Sequence, residues 1–163
     1  MSAGSPSAAA PAKPAGGAGD DFVTCTIAGQ WFGISVLKVQ DVLRAHAITR
    51  VPMAPPEILG SLNLRGRIVT VVDARRRLGL PPAEDGQQRM SIVVALGDDL
   101  VSLAVDQVGE VLSLEAQRIE AVPPTLDPVW REIADGIYRL EDQLLVILDV
   151  ERFLRLGAKA LAA

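Results

Sequence analysis

Gly60-Ser61-Leu62-Asn63-Leu64-Arg65-Gly66-Arg67-Ile68-Val69-Thr70-Val71-Val72-Asp73 is the stretch on which the fold reading turns. Two runs of apolar and β-branched residues, Leu62–Leu64 and Ile68–Val72, flank Arg65-Gly66. Such residues suit a pleated, half-buried surface, and a glycine in the second place of a two-residue loop supplies the positive φ that a tight turn needs. The stretch predicts a β-hairpin with Arg65 at its tip. It also recurs without a gap. Residues 136–149 read Gly-Ile-Tyr-Arg-Leu-Glu-Asp-Gln-Leu-Leu-Val-Ile-Leu-Asp, which sets Gly60 on Gly136 and Asp73 on Asp149 at an offset of 149 − 73 = 76 residues.

The recurrence extends upstream, and an internal repeat changes the topologies worth considering. Val36–Leu43 sets against Val105–Leu112 at 112 − 43 = 69 residues, placing Val39 on Val108 and Asp41 on Glu110. The difference between the offsets falls in connecting segments. An apolar pattern does not by itself select matched Gly and Asp, so the two halves read as copies of one small β unit. The expected organisation is a domain over residues 20–158. It comprises a first barrel at about 22–80, a polar, proline-rich joint at about 81–88 and a second barrel at about 89–154.

Within the first copy, Val23, Cys25 and Ile27 alternate with Thr24 and Thr26 as a half-buried strand does. Ala28-Gly29-Gln30 turns the chain, and Trp31–Val36 returns. Val36, Val39, Val42 and Leu43 fit a helical period, but the second copy carries Gly109 and the β-branched Val105, Val108 and Val111 there. One turn followed by a strand is therefore expected in both copies. Ala47–Val51 reads as a short strand stopped by Pro52, and Pro52–Pro56 as a loop. Ala74–Leu78 reads as a helical turn ended by Gly79, and Pro128–Ile133 as another turn. Residues 151–163, with Phe153, Leu154 and Leu156 on one face, read as a C-terminal helix. About five short strands per copy fit a closed barrel, which removes exposed edges. Two barrels of this size are individually marginal, so they are expected to share apolar surface.

The 163 residues are 49% hydrophobic, which excludes global disorder, and 16 Lys and Arg against 20 Asp and Glu give a net charge of −4. That balance lacks the footprint of a general nucleic-acid binder. One cysteine, Cys25, cannot form an internal disulfide. Residues 1–19 consist almost wholly of Ala, Gly, Pro and Ser, which cannot bury enough apolar surface to offset ordering entropy, so a disordered tail is expected. No apolar run approaches the length of a membrane span, and no secretory signal opens the chain. A cytoplasmic protein without direct membrane insertion is the expectation.

The Asn63-Leu64-Arg65-Gly66 string in its hairpin resembles the CheW family of bacterial chemotaxis coupling proteins. Val39-Gln40-Asp41-Val42 and Ile48-Thr49-Arg50-Val51-Pro52 upstream, and Val105-Asp106-Gln107-Val108 downstream, carry the same resemblance, which runs from about Phe22 to Phe153. It implies an all-β fold of two SH3-like five-stranded β-barrels packed on a shared hydrophobic core. It also implies a non-enzymatic scaffold that links the cytoplasmic tips of methyl-accepting chemoreceptors to the regulatory domain of a CheA-type histidine kinase. Recruitment to membrane-associated receptor arrays, with ring assembly there, would follow. By position, the resemblance puts the family's arginine on Arg65 and its acidic partner on Asp41. Most members carry Glu at that place, so Asp41 is one methylene shorter. Thr70 stands where Pro is usual and Ala74 where Leu is usual, departures that admit a paralogue serving a pilus or surface-sensing pathway.

Catalysis requires a nucleophile with a base, paired carboxylates or a metal set. With one His, His46, and one Cys on the apolar face of a strand, neither a Cys–His pair nor a zinc site is expected, and no cofactor or catalytic residue is assigned. Asp98-Asp99, Glu84-Asp85 and Glu141-Asp142 fall in expected turns. Arg65, Arg67 and Arg75–Arg77 form a local basic cluster, and SH3-like barrels can bind RNA. The acidic total, six aromatic residues and Glu151 opposite Arg75 in the second copy argue against a nucleic-acid partner. An adaptor needs exposed apolar surface instead. The candidate protein-binding residues are Arg65, Asp41, Val39, Gly60, Asn63 and Gly66 around the first hairpin, with Val105 and Val108 in the second barrel.

Overall fold

Each copy of the repeat begins with an antiparallel hairpin, and in the computed structural model, which describes residues 19–44, 48–84 and 87–155, the two hairpins lie in different sheets. The first is β1 (Gly19–Ile27) with β2 (Gln30–Ser35), turned by Ala28 and Gly29, both at positive φ. The second is β6 (Met90–Leu96) with β7 (Asp99–Val105). A third strand follows each, β3 (Val39–Leu43) and β8 (Gln107–Glu115), and then a second hairpin: β4 (Ile58–Leu64) with β5 (Arg67–Asp73), and β9 (Ala134–Arg139) with β10 (Leu144–Leu148). A short helix α1 (Ala74–Arg77) follows β5, α2 (Pro128–Ile133) precedes β9, and residues 150–155 are helical.

The five-stranded sheets run β8-β1-β2-β10-β9 and β3-β6-β7-β5-β4. These are the same order once β6 is set on β1, β7 on β2, β8 on β3, β9 on β4 and β10 on β5. The register agrees too. Val146 lies parallel to Phe32 in one sheet and Thr70 parallel to Val101 in the other, partners related by the offsets of 76 and 69. The duplication is thus present in three dimensions, but the expected division at residues 81–88 is not where the barrels part. Each barrel takes its first hairpin from one copy and its other three strands from the other copy. Only Asp106 separates β7 from β8, fewer residues than a hairpin loop needs, so the chain bends there and passes to the other sheet. Val36–Lys38 make the same passage between β2 and β3. Residues 81–88 connect elements of one sheet, and the guanidinium of Arg75 donates to Pro81 O.

Each sheet is brought round on itself where the segment after the third strand crosses the second hairpin. Thr49 bridges Ser61, and Glu120 bridges Ile137. This crossing explains the paired glycines. A Cβ on Gly60, at φ +150, would overlap the carbonyl oxygen of Thr49, and one on Gly136 would stand 2.8 Å from Glu120 O. The paired aspartates close the second hairpins in matching ways. Asp73 N–H donates to Glu57 O and Asp149 N–H to Ile133 O, while Asp73 Oδ1 accepts from the N–H of Arg75 and Asp149 Oδ1 from that of Arg152. Side chains at helix N-termini satisfy amides that lack intrahelical partners.

Period-two alternation then distributes the apolar side chains over three cores. Leu62, Val69, Val71, Val93 and Ala104 fill one barrel, and Phe22, Leu114, Tyr138, Leu145 and Ile147 the other. Between the barrels lies the largest core, with Val23, Cys25, Ile27, Phe32 and Ile34 from one sheet against Val72, Ile92, Val94, Leu103 and Val105 from the other. Each fully buried aliphatic or aromatic side chain contributes about 1.5–3 kcal/mol, so the shared core binds the barrels together. Burial, with a smaller push from the charge of Asp106, raises the Cys25 thiol to about 12. Cys25 is a core side chain.

Residues 1–18 of the expected tail, His46 and residues 156–163 of the expected C-terminal helix lie outside the described residues; Gly19, counted with the tail, opens β1. Among the described residues no helix is long and apolar enough to cross a membrane.

Candidate protein-interaction site

Arg65 and Gly66 both adopt positive φ, 51° and 87°, the two-residue turn whose twist matches its flanking strands. Asn63 fixes it by accepting the Gly66 N–H on Oδ1 at 2.9 Å. Arg65 is thereby held at the tip with its side chain 76% exposed. Asp41 comes from β3, at the opposite edge of the same sheet, and a register shift between Val39 and Asp41 leaves Gln40 bulged. A bulge re-aims the side chains beside it. Asp41 Oδ2 accepts from Arg65 Nη2 at 2.9 Å, and its Oδ1 accepts the Val42 N–H. The shorter carboxylate makes the reach, and the pair ties the hairpin tip to β3. In the second copy these places hold Glu141 and Glu110, two like charges, so the pairing belongs to the first copy alone.

Four of the sequence-predicted residues, Asp41, Asn63, Arg65 and Gly66, therefore come together. Val39 lies two residues along β3 and is half-buried against the inter-barrel core. Gly60 is buried beneath Thr49 and Ile48, so its role is the close approach of two backbones and not contact with a partner. Val105 is fully buried in the inter-barrel core and likewise drops out of the surface, because β7 is a central strand covered by the other barrel. Val108 is half-buried at the equivalent place to Val39, in the other sheet. Sequence reasoning passed over Ile68, which is 72% exposed next to the hairpin tip. The signal was available: if Val69 and Val71 point inward, period two turns Ile68 and Thr70 outward. Val42 and Leu37 are exposed apolar residues beside β3 as well.

A fixed, exposed guanidinium beside exposed apolar side chains is what a protein interface uses, since Arg presents a planar fork to carboxylates and apolar neighbours exclude water around it. Among the described residues no group of three or more His, Cys, Asp or Glu is placed to hold a metal ion.

Comparison with known proteins agrees with the fold. Residues 21–157 match the CheW-like domain family. The chain is 32% identical over 136 residues to the chemotaxis protein CheW of Klebsiella aerogenes, covering 83% of this chain and 82% of that protein. It is 31% identical over 136 residues to chemotaxis protein CheW of Bacillus subtilis, covering 83% and 87%. The crystal structure of the scaffolding protein TtCheW from Thermoanaerobacter tengcongensis superposes with a TM-score of 0.72 at 28% identity, over 80% of this chain and 88% of that one. With its two interlocked SH3-like barrels and the Asp41–Arg65 hairpin, the chain belongs to the CheW-like family of chemotaxis scaffold proteins.

Proposed function

We propose that this chain is a non-enzymatic adaptor that couples transmembrane chemoreceptors to a CheA-type histidine kinase at the cytoplasmic face of the membrane. The observation that carries the reading is the Asp41–Arg65 pair, which holds an arginine in one place while leaving it three-quarters exposed. An ion pair so exposed contributes only about 0–1 kcal/mol to folding, so stability gives little reason to build it. A desolvated arginine at an interface contributes more, about 2 kcal/mol or above. Family membership supplies the class of partner.

The test is reconstitution of receptor-bearing membranes, a CheA-type kinase and this protein. The kinase is expected to sediment with the membranes, and to come under receptor control, only when this chain is present. Kinase recruitment that is the same with and without the chain would exclude the adaptor role.

A further inference from the structure

At the end of the β4–β5 hairpin remote from Arg65, a cavity of about 650 Å³ lies between the Arg50–Pro56 segment, the start of β4, the end of β5 and Pro82–Ala83. Strands of seven residues rising about 3.3 Å each put it roughly 20 Å from the hairpin tip, so it is separate from the interaction site. Arg50, Arg76 and Arg89 line it against one carboxylate, Asp73. Asp73 is already occupied, because its Oδ1 accepts Arg89 Nη2 at 2.6 Å and the N–H of Arg75. The guanidinium groups of Arg50 and Arg76 have no partner among the described residues.

The duplication provides a control within the molecule. Arg76 corresponds to Arg152 (152 − 76 = 76), and there the guanidinium is neutralised. Arg152 Nη2 donates to Asp135 Oδ1 at 2.8 Å and to Ala134 O, and its Nε donates to Asp149 Oδ2. The counterpart of Asp135 is Leu59 (135 − 76 = 59), which lines the cavity in the first copy. Both residues sit at the register shift of their hairpin, so they hold equivalent places in the two copies. The first copy has leucine where the second has that carboxylate, so among the described residues the Arg76 guanidinium has no acidic partner and an apolar side chain lies beside it.

We propose that this cavity binds a small organic phosphate, with its phosphoryl group facing Arg50 and Arg76 and its apolar body against Pro55, Ile58 and Leu59. The volume lies in the range of small-molecule sites, and the lining pairs arginine side chains with a few apolar ones. Arginine suits phosphoryl oxygens because two parallel N–H donors match their geometry and the charge-assisted bonds are strong. The site does not depend on the adaptor reading, and either can fail without the other.

Calorimetry of the full chain with adenosine 5′-monophosphate, inorganic phosphate and adenosine as probes tests it. The monophosphate is expected to bind more tightly than either part alone, since charge and apolar wall each contribute. Arg76→Gln, at an exposed position, is expected to keep the wild-type melting temperature and weaken the monophosphate at least tenfold, about 1.4 kcal/mol. Arg131→Gln removes the same charge from an exposed place outside the cavity and is expected to leave the affinity unchanged. Absence of monophosphate binding, an unaltered affinity in Arg76→Gln, or equal weakening by Arg131→Gln would overturn the proposal.

Discussion

The guanidinium of Arg77 stands over the ring of Phe153 at 5.7 Å from its centroid, and the two residues occupy the same place in the two copies, 153 − 77 = 76 residues apart. Equivalent positions of a repeat touch each other only where the axis relating the copies passes between them. Arg77 Nη1 also donates to the carbonyls of Phe153 and Leu154, so the arginine that ends α1 ties it to the matching helix of the second copy. Burial lowers the pKa of this guanidinium from its ordinary value, with the charge of Glu57 opposing that shift.

Arg77→Ala should therefore destabilise both helices at once. Hydrogen bonds to a charged group contribute about 1.5–3 kcal/mol and a partly desolvated cation–π contact about 1, so a loss near 2–3 kcal/mol is expected. For a chain of this length that is roughly 5–10 °C in Tm. A thermal melt within 2 °C or so of wild type would refute this tie between the helices.

The three glycines of the hairpins should rank by what surrounds them. Gly60→Ala drives a Cβ into the carbonyl of Thr49 at a left-handed φ, and Gly136→Ala meets Ile119 and Glu120 at 2.7 and 2.8 Å, while Gly66→Ala meets open space and suffers only from φ +87. The last costs about 1–2 kcal/mol from backbone conformation alone. Urea midpoints are expected to fall in the order Gly66→Ala, Gly136→Ala, Gly60→Ala, the last lowest. A Gly60→Ala protein as stable as Gly66→Ala would show that the crossing segment yields.

Asp106 joins the barrels, accepting two hydrogen bonds from Arg75, at 2.7 and 3.0 Å, and one from the Ala28 N–H at 2.8 Å. Burial alone would raise its carboxyl, but the bonds from Arg75 and Ala28 outweigh it and hold the group below the usual carboxylate range. A depressed folded pKa means stability that is full above the unfolded value, about 3.9, and lost as pH falls through the folded value. Asp106→Asn should lose about 2 kcal/mol at pH 7, the scale of hydrogen bonds to a charged group, and lose less further stability than wild type as pH falls below about 4. Parallel stability curves for the two proteins over that acid window would contradict the assignment.

Arg65→Ala is expected to melt within about 1 kcal/mol of wild type and to lose at least tenfold in affinity for the CheA-type kinase, the receptor tip or both. Asp41→Ala should give a smaller defect, and the double mutant less than the sum of the two if the side chains couple across their 2.9 Å contact. Pull-down and calorimetry beside melting curves decide this. Normal binding to both partners by Arg65→Ala would defeat the interface assignment, and unfolding would place Arg65 in the structural frame.

The hairpins, the repeat and most strand positions were legible because alternation, turn residues and matched Gly and Asp are local signals, but of the strand expected over Ala47–Val51 only the bridge from Thr49 to Ser61 is present among the described residues. Which strands become neighbours was not. Val23, Cys25 and Ile27 alternate in the same way whether the strand flanking β1 opposite β2 is β3 of its own copy or, as it is, β8 of the other. Gly60 carried the family resemblance and so passed for a contact residue, although its conformation answers to Thr49, eleven residues upstream. Val105 was misplaced because a strand read singly shows which face is apolar but not whether a second barrel covers it. The unmatched Arg76 escaped notice because it emerges only when Leu59 is compared with Asp135.

The exchange of hairpins between copies has a consequence for the chain as it leaves the ribosome. Trp31 finds its neighbour in Leu145, 145 − 31 = 114 residues further on, so at synthesis rates of about 5–20 residues per second β2 waits roughly 6 to 23 s for it. During that interval the strands of the second sheet, which end at Val105, are already made, but β2 keeps an unpaired edge. Neither half of the gene encodes a product able to complete a barrel from its own strands, so the first sheet closes only once its last hairpin has emerged.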